Sequence, residues 1–181
     1  MNSRPQTREV ILGAAEAVVL EVGAAHLTLE AVAEGAGLSK GGLMYHFPTK
    51  EALLTAMVAR LLWRWEEQLQ QAADRLPPGP KRPLQAYVMA SMAVDGNLRR
   101  LSAALLAAVA NNPRLLEPVR RFYQDWFKQL AAPGLWFERA AVVSLAVDGL
   151  WLLELLQVSP LTDPQREQVA EELLQMLDRE V

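Results

Sequence analysis

Between Thr28 and Pro48 the chain sets a helix cap, a glycine, a second cap and a proline at intervals that fit two short helices joined by a tight turn. Thr28 is a good N-cap, and Leu29, Val32 and Ala33 follow it at helical spacing. Gly37 falls where the first helix must stop, and glycine tolerates the positive φ that ends a helix abruptly. Ser39 caps the second helix. Leu43 is its expected buried anchor, and Phe47 is expected to close it over the core. Pro48 ends the segment because it lacks the donor that a continuing helix needs. Helix restarts at once over Lys50 to Leu54. The arrangement is a helix-turn-helix with a further helix behind it.

The rest of the chain is punctuated in the same way. A first helix is expected over Thr7 to Val22, closed by Gly23, and a long fourth from Lys50 to about Leu76, halted by Pro77, Pro78, Gly79 and Pro80. Further helices are expected over Pro83 to Val94, Leu98 to Ala110, Arg114 to Ala131 and Leu135 to Gln157. Their stops are Asp95-Gly96-Asn97, Asn111-Asn112-Pro113, Pro133-Gly134 and Ser159-Pro160. The last helix reads as capped by Asp163, with Pro164 in its first turn, running to about Arg179. No segment alternates with period two long enough to make a strand. The expectation is an all-α chain of nine helices, divided into a small unit over residues 1–49 and a larger helical domain over 50–181.

Hydrophobic residues make up 51% of the 181 and charged residues 22%, so a packed core is affordable and disorder is not indicated. The net charge of −3 does not advertise a nucleic-acid binder, and the first fifty residues hold four basic against five acidic side chains. Sorted by position, however, the only formal charges from Gly35 to Lys50 are Lys40 and Lys50. Weak non-specific affinity for DNA is therefore expected. The absence of cysteine excludes disulfides, thiolate chemistry and zinc–cysteine sites. The polar start, Met1 to Arg8, is unlike a signal peptide, and a cytoplasmic location is expected. Ala140 to Val158 could mimic a membrane span, but Asp148 and Glu154 within it would cost about 2.5–3.5 kcal/mol each near a bilayer centre. It reads as a buried helix.

The N-terminal residues resemble the tetracycline-repressor-like (TetR) family of bacterial transcription regulators over roughly the first fifty-five positions. The resemblance is carried by Thr7, Ile11, Leu12, Ala14, Ala15 and Gly23, then by Thr28, Val32, Ala33, Ala36, Gly37, Ser39 and Gly41. Leu43, Tyr45, His46, Phe47, Lys50 and Leu53 complete it. Met44 departs from the aromatic common at its position. The resemblance implies the nine-helix fold and a homodimeric, ligand-responsive regulator, most simply a repressor of a palindromic operator. In that reading the Ser39–Phe47 helix enters the major groove and its copy in the dimer enters the next, roughly 34–36 Å away. Lys40 and Lys50 neutralise phosphates, and Thr28 and Ser39 hold phosphate through hydroxyls and helix N-termini. Tyr45 and His46 contact backbone or sugar, while Gly41, Gly42 and Met44 pack against base edges.

Other chemistries fit less well. Gly37-Leu38-Ser39-Lys40-Gly41 matches the G-x-S-x-G of a hydrolase elbow, but that motif needs a preceding strand and the segment here is helical. The glycines at 35, 37, 41 and 42 miss the spacing of a phosphate loop. His26 and His46 are the only histidines, so no catalytic metal site is assembled and no enzyme, metal or cofactor is expected. His46 fits either a core-edge residue or a phosphate contact. The five tryptophans and the methionines of the second domain fit either core or an adaptable ligand cavity. The expected wall residues of such a cavity are Met89, Met92, Leu105, Phe122, Trp126 and Trp151, suited to an apolar or aromatic molecule. Asp148, alone in an apolar run, must have a partner, either another helix or a ligand. A dimer interface is expected from Leu145, Gly149, Leu152 and Leu156 of the apolar helix with Val169, Leu173, Met176 and Leu177 of the last. The rival reading is a helical interaction or ligand-binding module without sequence-specific DNA binding.

Overall fold

A computed structural model describes residues 4–131 and 136–178. Among them it has nine α-helices and no strand: α1 (Arg4–Val22), α2 (Leu29–Gly35), α3 (Lys40–His46), α4 (Lys50–Asp74), α5 (Arg82–Met92), α6 (Gly96–Asn111), α7 (Glu117–Leu130), α8 (Phe137–Leu155) and α9 (Asp163–Asp178). Short 3-10 turns occupy Ala24–His26 and Pro113–Leu116. The expected helix from Arg114 therefore opens as a 3-10 turn, with Asn112 accepting from the Arg114 amide at 3.2 Å. The expected stops at Pro133 and Gly134, the start at Leu135 and the end at Arg179 lie outside the described residues.

Caps and breakers act largely as their chemistry dictates. The Thr28 hydroxyl accepts from the Ala31 amide at 3.1 Å, and Ser39 from the Gly42 amide at 3.1 Å. Gly37 takes φ 66, the left-handed backbone that ends α2. At α9 the cap is Thr162 rather than Asp163. Its hydroxyl accepts from the Gln165 amide at 3.4 Å, while Gln165 Oε1 accepts from the Thr162 amide at 2.9 Å. That is a reciprocal capping box, and Thr-x-x-Gln was its signal.

The chain divides into two compact units, Met1–Leu62 with Asn97–Arg120, and Trp63–Gly96 with Arg121–Val181. The division does not fall at 49/50. In the first unit Ile11, Leu12, Val19, Leu27, Val32, Leu43, Phe47, Leu53 and Met57 share a core with Leu101, Leu105 and Leu115. Helix α6 and the following turn thus complete the core built by α1 to α4. Asn112 Nδ2 donates to Glu51 Oε1 at 2.9 Å, joining the turn to the start of α4. The half-buried Arg60 of α4 reaches two acids of α1, Glu9 at 3.3 Å and Glu16 at 3.5 Å. Leu105, expected as a cavity wall, packs in the core of the first unit, whereas Trp126 belongs to the core of the second.

In the second unit α5 packs on α8 and α9. Its core gathers Leu84, Tyr87, Val88, Trp126, Leu130, Ala140, Val143, Val147, Ala170, Leu173 and Leu177. Here α8 is not buried on every side, as its composition suggests. Ala140, Val143, Ser144, Val147 and Leu155 face the core, whereas Val142, Leu145, Leu152, Leu153 and Leu156 are exposed.

Two glycines separate backbone requirement from space. Gly37→Ala forces an L-residue into positive φ and should lower stability by about 1–2 kcal/mol. Gly41 sits in α3 with open space where a Cβ would stand, so Gly41→Ala should raise stability by up to about 1 kcal/mol. Urea unfolding of both variants checks this; equal shifts in the same direction would refute it.

Candidate nucleic-acid interface and effector site

The seven residues of α3 are held from one side only. Leu43 and Phe47 are buried, while Tyr45 is 67% and Met44 41% exposed. Gly41 is exposed beside them, and a Cβ on Gly42 would lie 3.3 Å from Ser39 Oγ. Substitution at Gly42 thus presses on the cap, whereas substitution at Gly41 meets only what approaches from outside. His46 is half-buried, its ring edge-on to Tyr45 at 5.3 Å between centroids.

The two lysines expected to meet phosphate are both engaged within the chain. Lys40 Nζ pairs with Glu30 at 2.5 Å, and that hydrogen bond holds the Glu30 carboxyl below its ordinary range. Lys50 Nζ donates to the Ala25 carbonyl at 2.8 Å, tying α4 to the turn before α2. Both hydroxyls proposed for phosphate, Thr28 and Ser39, are spent as caps. Two cations beside α3 were not foreseen. The Arg4 guanidinium lies 5.0 Å from the Tyr45 ring centroid and Arg8 lies 4.5 Å from that of Phe47. Their spacing of four residues puts them on one face of α1, and that was the available signal.

The second unit holds an aromatic cluster around one carboxylate. Tyr87 of α5 stacks on Trp126 of α7 at 4.5 Å, and Trp65 of α4 stands edge-on to Tyr87 at 5.5 Å. Phe122 lies parallel to Trp126 at 6.5 Å. Trp126 Nε1 donates to Ser144 Oγ at 2.9 Å, which satisfies the one buried polar side chain of α8. The Tyr87 hydroxyl donates to Asp148 Oδ1, and Tyr123 also hydrogen-bonds the carboxylate. Burial raises the Asp148 carboxyl above its ordinary range, and the two phenols partly offset it. Burial likewise pushes both phenols up, reinforced by the adjacent carboxylate.

Of the expected ligand residues, Phe122, Trp126 and Asp148 come together here, with Met92 packed against the same core. Met89 packs elsewhere, with Ala72, Ala86 and Ala90. Trp151 is half-buried on α8, one turn beyond Asp148. Trp65 was weighed only among the five tryptophans, and Tyr87, Tyr123 and Ser144 were missed. A buried carboxylate demands donors, but sequence alone does not say which of several hydroxyls supplies them. Of the expected interface residues, Leu145, Leu152 and Leu156 are 59%, 44% and 50% exposed, and Gly149 is exposed between them. Leu173 and Leu177 are corrected: at 6% and 5% exposure they belong to the chain's own core, against which Val169 and Met176 also pack. Of the apolar stripe of α9, Leu173 and Leu177 are covered within the chain while Val169 and Met176 remain half-buried.

Models of bacterial regulatory proteins of the tetR family match residues 11–57, and those of the tetracyclin repressor-like C-terminal domain match residues 81–178. The chain belongs to the TetR family. It is 36% identical over 87 residues to the HTH-type transcriptional repressor BepR of Brucella suis biovar 1, covering 48% of this chain and 42% of BepR. It is 27% identical over 161 residues to the HTH-type transcriptional regulator BetI of Stenotrophomonas maltophilia, covering 82% and 81%. It spans about half the length of most of the curated relatives that it matches. A chain from Pseudomonas aeruginosa PAO1 solved as a transcriptional regulator superposes with a TM-score of 0.77 at 24% identity, covering 98% of this chain and 92% of that one. The all-α TetR architecture read from the sequence is thus the observed one. TetR regulators are DNA-binding proteins rather than enzymes, bind small-molecule effectors and act as dimers. An interaction module without DNA binding is not favoured for a TetR chain. Among the described residues no helix is long and apolar enough to cross a membrane.

The raised Asp148 carboxyl makes stability depend on pH in a definite direction. The folded chain holds this proton more tightly than the unfolded chain, whose value is near 3.8. Stability from this group is therefore lost as pH rises from there through the folded value. Asp148→Asn keeps an acceptor for the tyrosines without the charge. Its urea midpoint should rise relative to wild type on going from acid to neutral pH; a constant difference would contradict the burial argument.

Proposed function

We propose that this TetR chain is a cytoplasmic homodimeric repressor that releases a palindromic operator when a small, largely apolar or aromatic molecule binds within Trp63–Gly96 and Arg121–Val181. The carrying observation is the one-sided anchoring of α3. Packing accounts for Leu43 and Phe47 but leaves Met44 and Tyr45 outward with Gly41 beside them. Large apolar side chains on a short, clear helix face suit close contact with a duplex. In this reading Gly41, Gly42 and Met44 approach base edges. Tyr45 and His46 contact the backbone, joined by Arg4 and Arg8. Lys40, Lys50, Thr28 and Ser39 contribute to phosphate binding, the lysines by exchanging their present partners. The first 49 residues read DNA, while the remainder supports them and receives the effector.

The effector site is proposed around Met92, Phe122, Trp126, Asp148 and Trp151. Helices α4 and α7 each contribute residues to both units and are continuous covalent routes between site and reader. Coupling requires that the effector bind one state of the chain better than the other, and it must be reciprocal. The dimer is proposed to form on the exposed α8 stripe of Leu145, Gly149, Leu152 and Leu156, where a glycine permits close approach.

Operator selection from a random duplex pool tests the reading. A dimer making about 6–10 phosphate contacts should lose roughly 10³–10⁵ in affinity between about 50 and 200 mM salt. Gly41→Ala should weaken or redirect binding while the protein unfolds no more readily than wild type. No enrichment of any duplex would sink the DNA assignment.

Assembly is tested separately. Leu145→Glu with Leu152→Glu alters exposed side chains only and should yield a folded monomer by light scattering and circular dichroism. Leu173→Glu with Leu177→Glu should unfold the chain, each buried leucine lost being worth about 2–5 kcal/mol. A wild-type mass of about 20.1 kDa at high concentration would refute the dimer.

A further inference from the structure

We propose that the Asp148 carboxylate, set among Trp65, Tyr87, Phe122, Tyr123 and Trp126, receives a positive charge carried on an apolar or aromatic body, so that the effector is a lipophilic organic cation. This rests on the effector reading above and names the chemical class of the ligand.

The cluster has a buried floor and a partly exposed rim. Tyr87 and Trp126 are buried, stacked on one another and backed by Trp65. Asp148, Phe122 and Tyr123 are only partly buried and form its rim. The partners of the carboxylate, Tyr87 and Tyr123, supply hydrogen bonds but no charge. Four basic side chains of the same unit pair with other carboxylates: Arg82 with Asp74, Lys81 with Asp178, Lys128 with Asp125 and Arg166 with Glu154. A carboxylate has about four lone-pair sites, so two phenols leave acceptor capacity.

A simple tie between helices does not call for this arrangement. Asparagine would accept from the same tyrosines without the cost of desolvating a charge. A cation, by contrast, gains from the carboxylate and from the negative faces of the surrounding rings. An anion is repelled by both. A neutral molecule gains apolar contact alone, and its donors would compete with tyrosines already in place. A bare metal ion is poorly served, because a hard cation wants about six or more oxygens and one carboxylate with two phenols falls short. An organic cation wrapped by rings fits what is there.

Tryptophan fluorescence of the full chain, with and without bound operator, is titrated with benzyltrimethylammonium, its uncharged carbon isostere neopentylbenzene, and phenylacetate. The cation should bind about tenfold or more tighter than the isostere, and phenylacetate should not bind. In Asp148→Asn, whose fold is verified by circular dichroism, the cation should lose about tenfold while the isostere is unchanged. Asp148→Glu should keep the preference for the cation. Equal binding of cation and isostere to wild type overturns the charge inference without needing any variant. An undiminished cation affinity in Asp148→Asn overturns it as well. In either case the effector reading survives if the isostere weakens operator binding. Quenching by none of the three compounds overturns both.

Discussion

The burial of Leu43 and Phe47 is the constraint on which the reading face depends. A seven-residue helix carrying two glycines cannot hold itself in water, since nucleation is unfavourable and each glycine costs roughly 1 kcal/mol against alanine. It persists because one leucine and one phenylalanine enter a core shared with α1, α4 and α6. The opposite face is then free of any packing duty. Gly41 can stay small and Tyr45 can stand in solvent because the stability of α3 comes from elsewhere. The caps at Thr28 and Ser39 and the lysine bond to the Ala25 carbonyl fix the angles at which these pieces meet.

That division of labour also revises the electrostatic picture. Near α3 the formal charges largely cancel within the chain, Lys40 against Glu30 and Arg60 against Glu9 and Glu16. The exposed Lys40–Glu30 pair is worth little and exchanges readily. Arg4 and Arg8 lie over rings instead of facing carboxylates, a placement that leaves their charge to act outward. An acidic chain can in this way present a locally basic surface while retaining weak affinity for arbitrary nucleic acid.

The second unit is organised around the opposite problem, a charge that packing has partly enclosed. Asp148 sits within an apolar helix and is tolerated because α5 and α7 bring two phenols to it. The same helix presents Leu145, Leu152 and Leu156 outward. A composition that looks uniformly buried is thus split between a polar-centred core and an exposed apolar stripe.

Sequence by itself determined the helices, their caps and breakers, and the helix-turn-helix, because these follow from local chemistry: a hydroxyl at a helix start, a glycine at positive φ, a proline without a donor. It also required that Asp148 have a partner, since an enclosed carboxylate without one is too costly. Only the tertiary structure decided who the partners are. Leu105 lines up with Trp126 in a list of inward positions, yet it closes the first unit's core. The apolar faces of α8 and α9 look alike in one dimension, yet the second unit's core takes in Leu173 and Leu177 and leaves Leu145 and Leu152 open. Tyr87, Tyr123 and Trp65 carry no local signature, because what assembles them is the packing of α4, α5, α7 and α8. Periodicity reports which face of a helix avoids water, but not which neighbour removes it from water.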